Sequence, residues 1–572
     1  MCGIAGIVSS SDNDEIGSLL KQMLQTIQHR GPDGAGYVID GMLERKMSFQ
    51  DLNLERRKGR IALGHVRLAI TGETAGVQPF QSDNGQLSIL HNGEIYNYRE
   101  LWSKLNRTCS FTSDTDSEVI LRLIEKDYSG NLLGAVQKVL PQLDGVYALA
   151  ITDNKETIIA RDRIGVRQLY YYTNGEYTAF ASEKKPLMAI SHQEGVLHRL
   201  LPGHVAVLNG KTVKDVSFWH PKSILSTDQI DNEQEALSAY GAAMWKSIRK
   251  RVTGRKRVGI IFSGGIDSLL IAYMVQKLGV PFTCYSAGCK GAEDIKWAER
   301  VSNEFGFPLK IKILTLKDIE DLIPQVIKDI EDYSLNQVEV AIPIYSSVRI
   351  AQEAGERVIL TGQGADELFG GYPWYPKIVD QKGYESFEHY SWEDTLLLYK
   401  ECLEREDKIA MAHSIELRVP FLDPEVIRVA FYISPRLKIV PGNDQLGKRI
   451  HRKYCRSLGI SEEIASRKKE AAQHGANVHS AFEDLANETN ITETMLKKAG
   501  YNHDVSITEK LGSSSRYGYR YGNLHLWKPK LHVQYYLDSI AAQLKVLVPK
   551  MRENWVAITN NLDVESLAPG DT

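Results

Sequence analysis

The stretch RVGIIFSGGIDSLLIAYMVQKL (257–278) decides how the second half of the chain folds. RVGIIF is a short apolar run with the length of a buried strand. SGGIDS (263–268) is small and turn-forming, and SLLIAYMVQKL is an apolar helix. Strand, glycine turn and helix in that order make one unit of a parallel sheet. The same rhythm extends on both sides. The helical run ALSAYGAAMWKSIRKRV (236–252) precedes it. The strands PFTCYSAG (281–288) and PLKIKILTL (308–316) follow, with a helix near 292–305 between them. ERVILTGQGADELF (356–369) then repeats strand, turn and helix. The expected fold here is α/β, a doubly wound parallel sheet with a helical C-terminal part beyond about residue 390.

Both turns have chemical potential. Ser263, Gly264 and Gly265 let backbone N–H groups approach an anion closely, and the helix start adds about half a positive charge. Asp267 cannot itself attract phosphate and makes sense as a Mg²⁺ ligand. Asp366, in the second turn TGQGADELFGGY (361–372), offers a second carboxylate. Two such turns on adjacent strand ends would face one crevice. Plain turns capped by Ser or Asp are the alternative reading. GNDQLGKR (442–449) has the Gly and Lys spacing of a phosphate loop, but Arg449 stands where a metal-binding Ser or Thr belongs. It reads as a chance match in helical sequence.

The first half reads differently. CGIAGIV, RIALGHVRLAI, LSILHNGE, VYALAITD and TIIARD are short strands rich in Ile and Val, interrupted by helices near 14–29 and 116–127. That predicts an α+β unit of antiparallel sheets sandwiched between helices. HPKSILSTDQIDNEQ (220–234) is polar and linker-like. The expected units are residues 1–215, a linker at 216–235, residues 236–494, and a C-terminal extension, 495–572, with no assigned role.

At 572 residues the chain is too long for one core. A net charge of -3 gives no whole-chain drive toward nucleic acid or anionic membrane. The basic run KSIRKRVTGRKR (246–257) reads as a helix end, where cations are favoured. No window approaches the roughly 18 apolar residues of a membrane span, and the N-terminus lacks secretory character. Six cysteines without a CxxC pair argue against a disulfide framework, so the expected location is cytoplasmic, with no nucleic-acid or membrane partner. The sequons at Asn106, Asn487 and Asn490 read as chance. Cys109, Cys284, Cys289, Cys402 and Cys455 read as packing. Cys2, at the head of an apolar strand, could be packing or the working residue.

In order along the chain, MCGIAG, HRGPDG (29–34), HVRLAI (65–70), HNGEIYN (91–97), SDTDSEVI (113–120), SGGIDS, GADELFGGY, RVPFLD (418–423) and RKKEAAQHG (467–475) resemble the glutamine-hydrolysing asparagine synthetases. The resemblance spans roughly residues 1–480. It implies an Ntn-hydrolase-like class II glutaminase followed by an ATP-pyrophosphatase unit. It also implies that Met1 is removed, so that the α-amine of Cys2, with a pKa of about 8, can take the thiol proton. Cys2 would then form a thioester with glutamine and release ammonia. Asn92 and the N–H of Gly93 would make the oxyanion hole. Arg67, Ile70, Glu94 and Asp116 would bind glutamine, Arg67 at the α-carboxylate and the two acids at the α-ammonium. For Arg67, Asn92 and Asp116, surface ion pairs or a turn are the alternative. In the second half, ATP would convert a carboxylate to an acyl-adenylate, and ammonia arriving through an internal tunnel would displace AMP. The resemblance assigns the phosphates to Ser263, Gly264, Gly265, Asp267 and Ser268. It assigns the flanks of the nucleotide to Phe262, Ala287, Thr361 and Gly362. Lys469 would neutralise phosphate charge, unless it is one cation of a solvated run with Arg467 and Lys468. Mg²⁺ would sit on Asp267 and Asp366.

Three departures qualify this. Gln363 stands where the family turn carries glutamate, and an amide cannot act as a base; Glu367 and Glu339 are candidate replacements. Glu339 stands where an arginine would meet aspartate, which disfavours a dicarboxylate in the same pose unless the alignment slips. Gln168 replaces a loop proline. The leading expectation is an ATP- and Mg²⁺-dependent ligase that converts aspartate to asparagine with glutamine as nitrogen donor. Amide or lactam formation on another carboxylate is the first alternative, and an ATP-binding regulatory protein the second. Oligomeric state is not fixed by the sequence; a homodimer is compatible with it.

Overall fold

The computed structural model describes residues 2–70, 76–105, 109–191, 195–219, 229–442, 444, 446–501 and 530–545. Two antiparallel sheets fill the first half. In the seven-stranded sheet, Cys2–Asn13 lies between Tyr177–Ala181 and Gly59–Arg67. In the six-stranded sheet, Ser88–Ile95 pairs with Gly145–Thr152. The sheets stack through Ile4, Val8, Leu63, Leu90, Ala148 and Phe180. Helices Ile16–Thr26 and Lys184–Ile190 cover one outer face. Tyr98–Leu105, Asp116–Asp127 and Leu132–Val139 cover the other. A strand covered on both faces needs apolar residues on both, which is why CGIAGIV does not alternate. Three of these helices, Tyr98–Leu105, Leu132–Val139 and Lys184–Ile190, escape the sequence reading because each is only seven or eight residues long.

The second half holds a five-stranded parallel sheet in the order Leu309–Leu314, Phe282–Cys289, Val258–Ile261, Val358–Leu360, Glu416–Arg418. The two glycine turns therefore leave neighbouring strands. Glu416–Arg418 is a strand inside a region expected to be helical; three buried residues carry too little pattern to announce it. The basic run at 246–257 does end the helix Glu233–Val252. Within the C-terminal extension, helix Leu531–Gln543 returns to the body: Gln534 accepts a hydrogen bond from Leu335 N at 2.8 Å and donates to Tyr333 O at 3.1 Å. Asn106 and, within the C-terminal extension, residues 502–529 lie outside the described residues.

The halves are joined by an apolar core and by buried charge. Leu68, Val146, Ile164 and Val166 enter the same core as the second half's strands. Asp407 accepts from Arg30 and from Arg167, each at 2.9 Å, and all three side chains are fully buried. Glu404 takes Arg199 at 2.6 Å and the Tyr170 hydroxyl at 2.7 Å. Among the described residues no helix is long and apolar enough to cross a membrane.

Candidate active sites

Cys2 begins a central strand, opposite Arg67 in register, and is 7% exposed. Its backbone N–H donates to Asn92 Oδ1 at 2.9 Å, and its carbonyl accepts from Arg30 Nε at 3.1 Å. Asn92 sits on the facing sheet, so stacking of the two sheets makes this contact. With Oδ1 engaged, the buried Asn92 Nδ2 has no partner among the described residues. It is a donor held for something that arrives later. Gly93 is required as glycine, since a Cβ there would lie 2.1 Å from Val146 O. Burial pushes the Cys2 thiol up, so it stays protonated until a base removes the proton.

Glu94 and Asp116 close the same site. Ile95 N–H donates to Asp116 Oδ2 at 2.9 Å, and Glu94 lies 3.2 Å from Arg418 of the second half. Burial pushes Glu94 up to about 7 against the pull of Arg418. Burial also pushes Asp116 up to about 6. Arg67 reaches toward Gly76, where a Cβ would meet its Nη2 at 2.3 Å. Ile70 lies at the boundary with the second half, its carbonyl accepting from Arg255 at 2.6 Å. The structure thus gathers Cys2, Arg67, Asn92, Gly93, Glu94 and Asp116, a buried thiol with a spare amide donor and buried groups that carry charge of both signs.

The second site forms where the two glycine turns touch. A Cβ on Gly362 would sit 2.9 Å from that of Asp267. Gly264 has φ +67, and a Cβ there would strike the Trp297 backbone at 2.4 Å. Ser263 Oγ accepts from Gly265 N at 3.2 Å, Ser268 Oγ donates to Gly265 O at 3.1 Å, and Arg467 holds the Ser263 carbonyl at 2.6 Å. Thr361 N donates to the Arg418 carbonyl at 3.1 Å. Phe262 is buried beneath the first turn, bonded through its backbone to Tyr285, and Ala287 lies buried on the adjacent strand. Lys469 reaches Asp366 at 2.9 Å, so it belongs to the site rather than to a solvated run.

Lys448 is the residue that sequence reasoning passed over. It starts the helix Arg449–Ser457 with φ 51 and is 1% exposed. Its ammonium lies 2.7 Å from Asp267 and 2.7 Å from Asp366. Burial alone would raise both carboxyls; Lys448 and Lys469 together, with His451 also at Asp267, outweigh it and hold both below the usual carboxylate range. Lys448, from the run GNDQLGKR, therefore does reach the aspartates of both glycine turns, although not from a strand-to-helix phosphate loop. His451 stands 3.1 Å from Asp267 and is fixed by the Tyr240 hydroxyl at 2.6 Å. Asp267 and Asp366 supply hard oxygen donors, and no group of three metal-ligating side chains forms among the described residues. Two carboxylates suit Mg²⁺, which completes its shell with phosphate oxygens and water. The candidate replacements for a glutamate at position 363 point elsewhere. Glu339 bonds His479 at 2.7 Å, and Glu367 accepts from the Tyr372 hydroxyl at 2.5 Å.

The comparisons with known proteins agree with two sites of different origin. A glutamine amidotransferase domain model matches residues 1–236, and an asparagine synthase model matches 240–382 and 379–538. A putative glutamine-hydrolysing asparagine synthetase 1 from Methanocaldococcus jannaschii is 32% identical, covering 83% of this chain and 94% of its own. Asparagine synthetase 2 from Arabidopsis thaliana is 28% identical, covering 88% of this chain and 84% of its own. Among solved structures, a glutamine phosphoribosylpyrophosphate amidotransferase from B. subtilis aligns at 25% identity over 51% of this chain and 67% of that one, with a TM-score of 0.35, too slight a likeness to argue from.

Proposed function

Because the chain belongs to the glutamine-hydrolysing asparagine synthetase family, we propose that it makes asparagine from aspartate, taking nitrogen from glutamine and energy from ATP. Residues 1–215 act as the glutaminase unit and 236–494 as the ligase unit. The observation that carries the reading is one arginine shared by both sites. Arg418 pairs with Glu94 at 3.2 Å through its guanidinium and accepts from Thr361 N at 3.1 Å through its carbonyl. An ammonia-releasing site and an anion-binding turn are thus set back to back.

With Met1 removed, the α-amine of Cys2 takes the thiol proton and Sγ attacks the glutamine side-chain amide. Asn92 Nδ2 and the Gly93 N–H receive the negative oxygen. The proton moves to the leaving nitrogen, ammonia departs, and water hydrolyses the thioester to glutamate. Arg67 holds the α-carboxylate, with Ile70 beside it; Glu94 and Asp116 hold the α-ammonium. In the ligase unit the first turn receives the phosphates, while Phe262, Ala287, Thr361 and Gly362 flank the nucleotide. The side-chain carboxylate of aspartate displaces pyrophosphate from ATP, and ammonia, passing inside the protein, then displaces AMP. Lys448 and Lys469 balance the charge that builds on the departing pyrophosphate. Asp267 and Asp366 would hold Mg²⁺, which would screen the phosphates and orient the leaving group. Glu339 does not speak against aspartate, since its Oε2 is already engaged by the His479 ring at 2.7 Å.

The test is incubation with ATP, Mg²⁺, glutamine and aspartate, scoring asparagine, AMP and pyrophosphate together. Pyrophosphate release with another acid, and none with aspartate, would reject aspartate as acceptor.

A further inference from the structure

Gln363 lies in the second turn, between Gly362, which abuts Asp267, and Asp366. Its side-chain amide donates to Oε1 of Glu406, which comes from behind the turn on helix Glu404–Ala412. Glu406 is 1% exposed, and its Oε2 has no partner among the described residues. The Nη2 of Arg405 stands 3.6 Å away, while its Nη1 donates to Gln337 at 2.6 Å. Among the described residues, Glu406 is therefore a buried carboxylate whose hydrogen bond is to an amide and whose one ion pair is the longer contact to Arg405. Of the other buried acids around this crevice, Asp267 and Asp366 have Lys448 at 2.7 Å and Glu339 has the His479 ring at 2.7 Å, while Glu367, like Glu406, meets no cation at bonding distance among the described residues and accepts only from the Tyr372 hydroxyl.

An ionised carboxylate only accepts hydrogen bonds. Facing it, Gln363 presents Nε2 to Glu406, which leaves its Oε1 turned away from that carboxylate. We propose that Glu406 is a positioning residue for acceptor choice: it holds the Gln363 oxygen toward the crevice and backs it with negative charge, so that this oxygen receives the α-ammonium of an amino-acid acceptor. This rests on the asparagine-forming reading and deepens it. A glutamine alone is a neutral acceptor, whereas a glutamine backed by a carboxylate becomes a charge-assisted one. Burial pushes the Glu406 carboxyl up to about 7 even with Arg405 and Lys469 opposing, so this group has much to gain from an arriving cation. The negative charge absent at position 363 is present one side chain further back.

The experiment is ATP–pyrophosphate exchange without any nitrogen donor, using aspartate or succinate, which lacks the amine, as the acid. Exchange by the unaltered chain is scored first, since its failure with aspartate would overturn the parent reading and this one with it. Glu406→Gln should raise the KM for aspartate about tenfold with no matching rise in the KM for ATP. It should also narrow the preference for aspartate over succinate by about the same factor. The exchanged pair Q363E/E406Q, which returns one carboxylate and one amide to the same contact, should restore both. An unaltered KM and preference in E406Q would overturn the proposal. So would an exchanged pair that binds ATP normally yet recovers neither.

Discussion

Arg30 donates to the carbonyl of Cys2 through Nε and to Asp407 through Nη2 at 2.9 Å, so a single buried guanidinium ties the first site to the opposite half. Asp407 also holds Arg167 at 2.9 Å. Truncating it leaves two buried cations with one fewer anion. Asp407→Ala should cost about 3–5 kcal/mol of stability, read as a lower denaturant midpoint, with glutamine hydrolysis weakened alongside. A midpoint within experimental error of the parent chain would mean that the halves do not depend on this pair.

Glu94 gives a pH dependence with a defined sign. Its folded pKa is raised to about 7, so the carboxyl is neutral below that value and anionic above it. Only the anion attracts the α-ammonium of glutamine. The KM for glutamine should therefore fall as pH rises from about 6 to about 8, and Glu94→Gln should leave it high, with only the smaller fall near pH 6 that Asp116 carries. A KM for glutamine that does not change across this range in the unaltered chain would remove Glu94 from the binding role.

Removal of divalent metal should separate the two chemistries. With a chelator present, aspartate-dependent pyrophosphate release should stop while glutamine hydrolysis continues. Asp366→Asn should reproduce this at ordinary metal concentration, because one of the two oxygen ligands loses its charge. Pyrophosphate release that persists in chelator would rule out the metal assignment to Asp267 and Asp366.

Much of this organisation was legible in the sequence because it depends on local pattern. RVGIIFSGGIDS is a strand, a turn and a helix start within twelve residues, and the structure builds it so. Likewise the helix expected near 116–127 is present, and Thr115 caps it by accepting from Glu118 N. What escaped depends on distant contacts. Lys448 looked like part of a failed phosphate loop because nothing local shows that it will bridge two aspartates from other turns. The strand Glu416–Arg418 has three residues and no periodicity, and only pairing with Val358–Leu360 defines it. Glu406 carries no motif at all; it matters because helix packing aims it at Gln363.

The central claim is that the first thiol only supplies ammonia, which a separate nucleotide site consumes. Cys2→Ala, given ATP, Mg²⁺ and aspartate, tests it by the nitrogen source. The variant should form asparagine from ammonium at the parent rate and none from glutamine. Asparagine made from glutamine by this variant, or none made from either source, would contradict the account.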